Sequence, residues 1–224
     1  MRRKAVWPVC LLVLTVCMST LPAMAGATLF SDLGPPGNLY QCCIGWTVAG
    51  SGTLGTSFTA ANLFTVSGSG NFNVTQIDLG TNYITGTNTF YASIWTDSSG
   101  VPGSQVAGAY WGSLVAVACC GLITIPVSGV SLTGGQSYFM VLGPMNLIDT
   151  TWESWNWNNQ SINGLDLYSN DGGTTWNSNG TGNPLGAFDV LGNPSGTTPE
   201  PSSVLLFGTG LVGAFGAFRR KMKL

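Results

Sequence analysis

The chain has 224 residues, 44% of them hydrophobic and 7% charged, with 7 Lys and Arg, 9 Asp and Glu and no His. Arg2, Arg3 and Lys4 open it and Arg219, Arg220, Lys221 and Lys223 close it, so the span from Ala5 to Phe218 holds every acid and no cation. Nucleic-acid binding is excluded, because phosphates are held by Lys and Arg, and so is any serine nucleophile that depends on a histidine base.

In chain order, the basic head is followed by an apolar run from Val9 to Met18 and then by Ala23-Met24-Ala25. This is the pattern of a secretory signal peptide spanning 1–25, with Ala23 and Ala25 as the small residues flanking a cut after Ala25. The run is too short for a spanning anchor.

Residues 26–196 carry seven Trp and many Val, Ile, Leu and Phe, enough to bury one core of ordinary domain size. Helical periodicity is missing; short β-branched and aromatic runs alternate with Gly, Asn and Ser turns. "NVTQIDLG" places Val74, Gln76 and Asp78 opposite Thr75, Ile77 and Leu79, by simple alternation. "NTFYASIWTD" predicts a strand over Thr89–Thr96 ending in the turn "DSSGVPG", and "QSYFMVLG" a buried strand over Ser137–Leu142. Further strands are expected near Phe58, Phe64, Val106, Ile123, Leu165 and Phe188. The fold class is therefore all-β, a single β-sandwich or jelly roll.

Cysteines come as adjacent pairs, Cys42-Cys43 and Cys119-Cys120, besides Cys10 and Cys17 in the leader. In an exported chain such residues pair, and two bridges between the two loops are expected, although four cysteines allow three connectivities. With no His and no C-x-x-C spacing, no metal site is expected, nor any cofactor.

"TTWESWNWNNQ" packs Trp152, Trp155 and Trp157 beside Glu153. Two readings stand: one or two of these rings fill the core, or they form an exposed platform for sugar rings with Asn and Gln bonding hydroxyls. A carboxylate glycosidase needs two facing acids about 5–10 Å apart. Asp149 and Glu153 lie closest in sequence, yet four residues of extended strand separate them by about 13 Å. A non-catalytic body is expected.

"SNDGGTTW", Ser169–Trp176, resembles the Asp-box, S-x-D-x-G-x-T-W. The resemblance implies a hairpin turn in which Asp171 accepts from nearby backbone N–H groups, Gly173 takes a positive φ and Trp176 packs beneath. Asp-boxes recur in sialidases as structure, and one copy without a propeller repeat does not imply that activity.

After the linker "NPSGTTPEP" comes an uncharged stretch from Ser202 to Phe218 and then the basic tail, residues 219–224. Seventeen residues of helix span about 25 Å, the short limit for a membrane crossing, and the basic cluster favours the cytoplasmic side. Gly208, Gly210 and Gly213 spell G-x-G-x-x-G. That motif needs a preceding strand and an acid about 20 residues on, which the eleven residues after Gly213 do not supply.

Pro199-Glu200-Pro201, the apolar stretch and Arg219-Arg220-Lys221 together resemble the PEP-CTERM sorting signal of Gram-negative bacteria. The resemblance makes 197–224 a sorting signal with a transmembrane helix over 202–218. It implies an exosortase-type membrane protease as partner, transient or stable anchoring in the inner membrane, and delivery to the cell surface. The segments "LFSDLG", "GWTVAGSG", "FYASIWTDSSGVPG" and "LGAFDV" make the body resemble choice-of-anchor domains, a resemblance that implies no catalytic residue. The function expected is that of an exported, non-catalytic surface or matrix protein; the alternatives are a carbohydrate-binding module of the exopolysaccharide matrix and, further off, a glycosidase.

Overall fold

A computed structural model describes residues 26–117 and 121–196. Outside them lie the expected signal peptide with Ala23 and Ala25, Cys119 and Cys120, and the whole of 197–224, including Pro199, Glu200, Pro201, Arg219, Arg220 and Lys221.

The described chain is all-β. It runs β1 (Ala27–Ser31), β2 (Gly45–Ala49), the one-turn helix α1 (Ser51–Leu54), β3 (Thr59–Thr65), β4 (Asn71–Leu79), β5 (Thr81–Thr85), β6 (Phe90–Asp97) and β7 (Pro102–Leu114). There follow β8 (Ile123–Pro126), β9 (Ser131–Thr133), β10 (Ser137–Pro144), β11 (Trp152–Asn156), β12 (Asn163–Ser169), β13 (Asn177–Pro184) and β14 (Phe188–Pro194). Three sheets result. One has the order β1-β14-β4-β8 with β9 also on β4, a small one is β2-β11-β5, and a six-stranded one is β13-β12-β3-β10-β6-β7. β4 and β5 flank Gly80, so one run of chain passes from the five-stranded sheet into the small one. β1 pairs antiparallel with β14, Ala27 opposite Gly192.

These sheets form a sandwich because apolar side chains of all three meet in one core. The five-stranded sheet supplies Leu29, Ile77 and Phe188, the small sheet Val48 and Trp155, and the six-stranded sheet Phe64, Phe90, Ile94 and Met140. β10 is buried from Phe139 to Pro144 because it lies between β3 and β6 with apolar groups on both faces. Met140 and Leu142 point into the main core, whereas Phe139 and Val141 join a second cluster with Ala61 and Leu167 on the outer face.

One expectation about phase is corrected. In β4 both Val74 and Ile77 are buried, although simple alternation puts them on opposite faces. Gln76 pairs with Leu191 and Val74 with Gly192, so Thr75 is an extra residue in the ladder. Such a bulge resets the alternation and lets both apolar residues reach the core.

The Asp-box forms the hairpin between β12 and β13. Asp171 accepts the Thr175 N–H at 2.8 Å, the Thr175 hydroxyl at 2.7 Å and the Ser169 hydroxyl at 2.7 Å. Gly173 has φ +93°, a conformation open to glycine and strained for L side chains. Trp176 meets Trp95 edge-on at 6.5 Å and covers the outer cluster. Asp171 is exposed, and its carboxyl lies at about 2, below the usual range, through the hydrogen bonds from Ser169 and then Thr175.

Candidate functional site

At the β12–β13 edge of the six-stranded sheet, β2 of the small sheet comes close: the Trp46 indole donates to the Pro184 carbonyl at 2.9 Å. Between these elements opens a cavity of about 420 Å³, within the range that holds small ligands. Its apolar walls are Trp46, Phe58 and Tyr168, and its polar groups include Asp166, Asn170 and Asn179. Phe58 and Tyr168 lie 6.3 Å apart at 42°, leaving ring faces for an amphipathic guest.

Strand alternation explains the composition. Asp166 and Tyr168 are two apart on β12 and share a face with their β3 partners Asn62 and Ala60. The small side chain of Ala60 leaves room beneath Tyr168. Asn170 is fixed at the strand end by a reciprocal pair: its amide donates to the Ser57 carbonyl at 2.6 Å, and the Ser57 hydroxyl donates to the Asn170 carbonyl at 2.7 Å.

Asp166 is the chemical centre of the cavity. Asn62 donates to Oδ1 at 2.7 Å and Asn179 donates to Oδ2. Asn62 is oriented in turn, because its own oxygen accepts the Gly186 N–H at 2.6 Å. Gly186 lies flat on Trp155, where an added Cβ would come within 2.4 Å of the indole. The cavity wall is thereby tied to the core. Burial pushes the Asp166 carboxyl up to about 6, against the opposing hydrogen bonds from Asn179 and Asn62. Its donors are neutral amides, and the body from Ala5 to Phe218 has no Lys, Arg or His to set beside it.

The other buried acids lie elsewhere. Asp32 Oδ1 accepts the Phe188 N–H at 2.7 Å, and burial, reinforced by Asp189, raises its carboxyl to about 8. Glu153 on β11 is buried with neither carboxyl oxygen hydrogen-bonded among the described residues, and burial followed by the charge of Asp149 raises it to about 8. The separation expected for Asp149 and Glu153 assumes one extended strand, which they do not share. Asp149 precedes β11 in a turn and accepts from the Thr151 N–H at 2.9 Å and the Thr151 hydroxyl at 3.0 Å. Its charge therefore reaches Glu153.

The tryptophan cluster is split. Trp155 is 0% exposed in the main core, donating to the Ala187 carbonyl at 3.2 Å, so it cannot stack on a sugar and the core reading holds for it. Trp152 is half-buried and on the opposite face of β11. Trp157, also half-buried, meets Trp46 edge-on at 5.4 Å and so backs the cavity wall. A three-ring platform of Trp152, Trp155 and Trp157 is not formed. The aromatic residues that line the cavity, Trp46, Phe58 and Tyr168, come from three separated segments, and no local pattern in the sequence singles them out.

Cys42 and Cys43 lie in the loop between β1 and β2. In the same loop the Tyr40 hydroxyl donates to the carbonyl of Gly121, the residue that follows Cys120. On the other side of that segment Val117 bridges to Asn82. Among the described residues no group of three or more acidic or cysteine side chains is arranged to hold a metal ion, and no helix is long and apolar enough to cross a membrane.

No curated protein sequence matches the chain. A crystal structure of the cysteine protease and lectin-like domains of Cwp84, a surface layer associated protein of Clostridium difficile, is similar at 15% identity and a TM-score of 0.45. The similarity covers 62% of this chain and 33% of that one, so this chain spans about a third of its length. The family model of the PEP-CTERM protein-sorting motif matches residues 197–221. With Pro199-Glu200-Pro201, the uncharged stretch and the basic cluster in that order, the chain carries a PEP-CTERM protein-sorting motif.

Proposed function

We propose that this is an exported, non-catalytic surface or extracellular-matrix protein of a Gram-negative bacterium, delivered by an exosortase-type membrane protease that reads Pro199-Glu200-Pro201. The sorting motif over 197–221 is the observation that carries the reading. In it, residues 1–25 are a removed leader, 26–196 the folded cargo and 202–218 a membrane helix that holds the chain until it is processed. Two bridges joining Cys42-Cys43 to Cys119-Cys120 fit the same compartment. Supporting them, Tyr40, two residues before Cys42, is tied to Gly121, the residue after Cys120.

The cavity favours a second reading within the first, namely that the cargo binds carbohydrate. Aromatic faces with convergent amide and carboxylate groups suit pyranose rings and their hydroxyls. Binding fits better than hydrolysis, because Asp166 is the one acid lining the cavity among the described residues, and hydrolysis needs two.

Fractionation in the native host, with one epitope in the body and another after Leu224, tests the delivery. Glu200→Ala should leave insertion intact, since its charge lies outside the apolar span, while the full-length form accumulates in the inner membrane. Both epitopes on a single surface polypeptide in the wild type would reduce the tail to an anchor. Thiol titration of the same denatured, unreduced material should find no free thiol in the body; two per chain would reject the paired bridges.

A further inference from the structure

We infer that the cavity takes an amino sugar, with the protonated amine of the ligand on the Asp166 carboxylate and its ring against Trp46, Phe58 and Tyr168. The inference rests on the carbohydrate reading and narrows it to one ligand class.

The first ground is an unbalanced charge. Buried carboxylates are ordinarily paired with a cation, but from Ala5 to Phe218 the chain has no Lys, Arg or His. Asp166 therefore has no cationic partner within the body, and its donors are the neutral amides of Asn62 and Asn179. An ionised carboxylate has about four lone-pair sites, and these two bonds fill half of them. A ligand ammonium would meet the remaining capacity with a charge-assisted bond.

The second ground is the position of the covering group. Asp166 is 1% exposed, while Asn179, which donates to it, is exposed on β13. β13 is the edge of the six-stranded sheet and its pairing with β12 is irregular around Asp166. Asp166 lines the cavity, and Oδ2 is covered by this one exposed side chain of Asn179, whereas Asn62 on Oδ1 is held from behind by Gly186.

The third ground excludes competing glycans. Uronate, sulfated and phosphorylated sugars bring an anion to a wall whose charged group is an acid, in a body with no basic residue to offset it. The aromatic walls act in the same direction, since ring faces attract cations.

The test is calorimetric titration of the full-length protein in detergent at pH 6.5, where much of the probe amine is protonated, with three matched probes: a glucosamine oligosaccharide, its fully N-acetylated counterpart and a uronic-acid oligosaccharide. The glucosamine probe should bind at least tenfold more tightly than the acetylated one, and the uronate should not bind measurably. Asp166→Asn should remove the preference for the amine, with circular dichroism checking that the fold persists. The wild-type ratio alone decides the matter should that variant fail to fold. Equal or tighter binding of the acetylated probe overturns the amine inference and leaves the carbohydrate reading standing. If none of the three binds the folded wild type, both fall.

Discussion

Asp166 and Asp171 lie five positions apart, one within β12 and the other in the hairpin turn that follows. Both accept hydrogen bonds from neutral side chains, yet their carboxyls move in opposite directions, to about 6 and about 2. At Asp171 water remains, so every donor adds to the stability of the anion. At Asp166 the same kind of bonds fail to offset the loss of hydration. The number of donors thus does not decide the ionisation of an acid; what surrounds the donors does. The turn uses its acid to fix a shape, and the cavity keeps its acid among neutral donors with no cation to pair it.

The broadest way to test that contrast is a pH series of melting temperatures on the full chain. Asp32, Glu153 and Asp166 are raised to about 8, about 8 and about 6 from ordinary values of 3.8, 4.5 and 3.8. A carboxyl raised on folding favours the native state below its unfolded pKa, and the advantage is lost as pH climbs through the folded value. Asp171, lowered to about 2, acts in the reverse sense: its contribution is present above 3.8 and lost as pH falls toward 2. Melting temperature should therefore be highest near pH 3–4 and decline as pH rises toward 8. A maximum at or above pH 8 would mean that the interior acids are not raised.

A smaller and sharper test replaces each acid of the pair. Asp166→Ala leaves the buried Asn62 amide without its acceptor, a loss of about 1–3 kcal/mol in urea unfolding at pH 5. That loss should shrink as pH rises from about 4 through 6 and level off above it, where the wild type carries the cost of the ionised group. Asp171→Ala should shift the midpoint least, since its bonds close an exposed turn whose groups turn to water. If the two variants are equally destabilised at pH 5, the contrast between the regions fails.

Local patterns were legible in the sequence; assembled ones were not. β10 was evident from its continuous apolar run, because a strand covered on both faces needs no alternation, and the Asp-box turn from residues whose conformations are dictated locally. β13, "NSNGTGNP", has no apolar side chain before its final Pro184 and is a strand only because β12 offers it a ladder. The bulge at Thr75 is set by pairing with β14, more than a hundred residues later. The cavity fails to show for the same reason. Its aromatic walls stand at 46, 58 and 168, whereas the conspicuous cluster at 152–157 sends its central ring into the core. Sequence density of tryptophan marked the support of the site rather than the site itself.

The pairing of β1 with β14 has a consequence for the order of events during export. A chain threaded through a membrane with its N-terminal end leading presents Ala27–Ser31 early, but the strand that pairs with β1 spans Phe188–Pro194. Until those residues emerge, β1 has no ladder and Leu29 no core, and contacts of such long sequence separation form slowly. On the proposed route the sheet can close only when nearly all of the body has crossed, by which time the uncharged stretch from Ser202 is entering the bilayer. On that route, completion of the fold and arrest of the tail would be neighbouring moments of one passage, and the protease would meet its motif on cargo that has just become able to close.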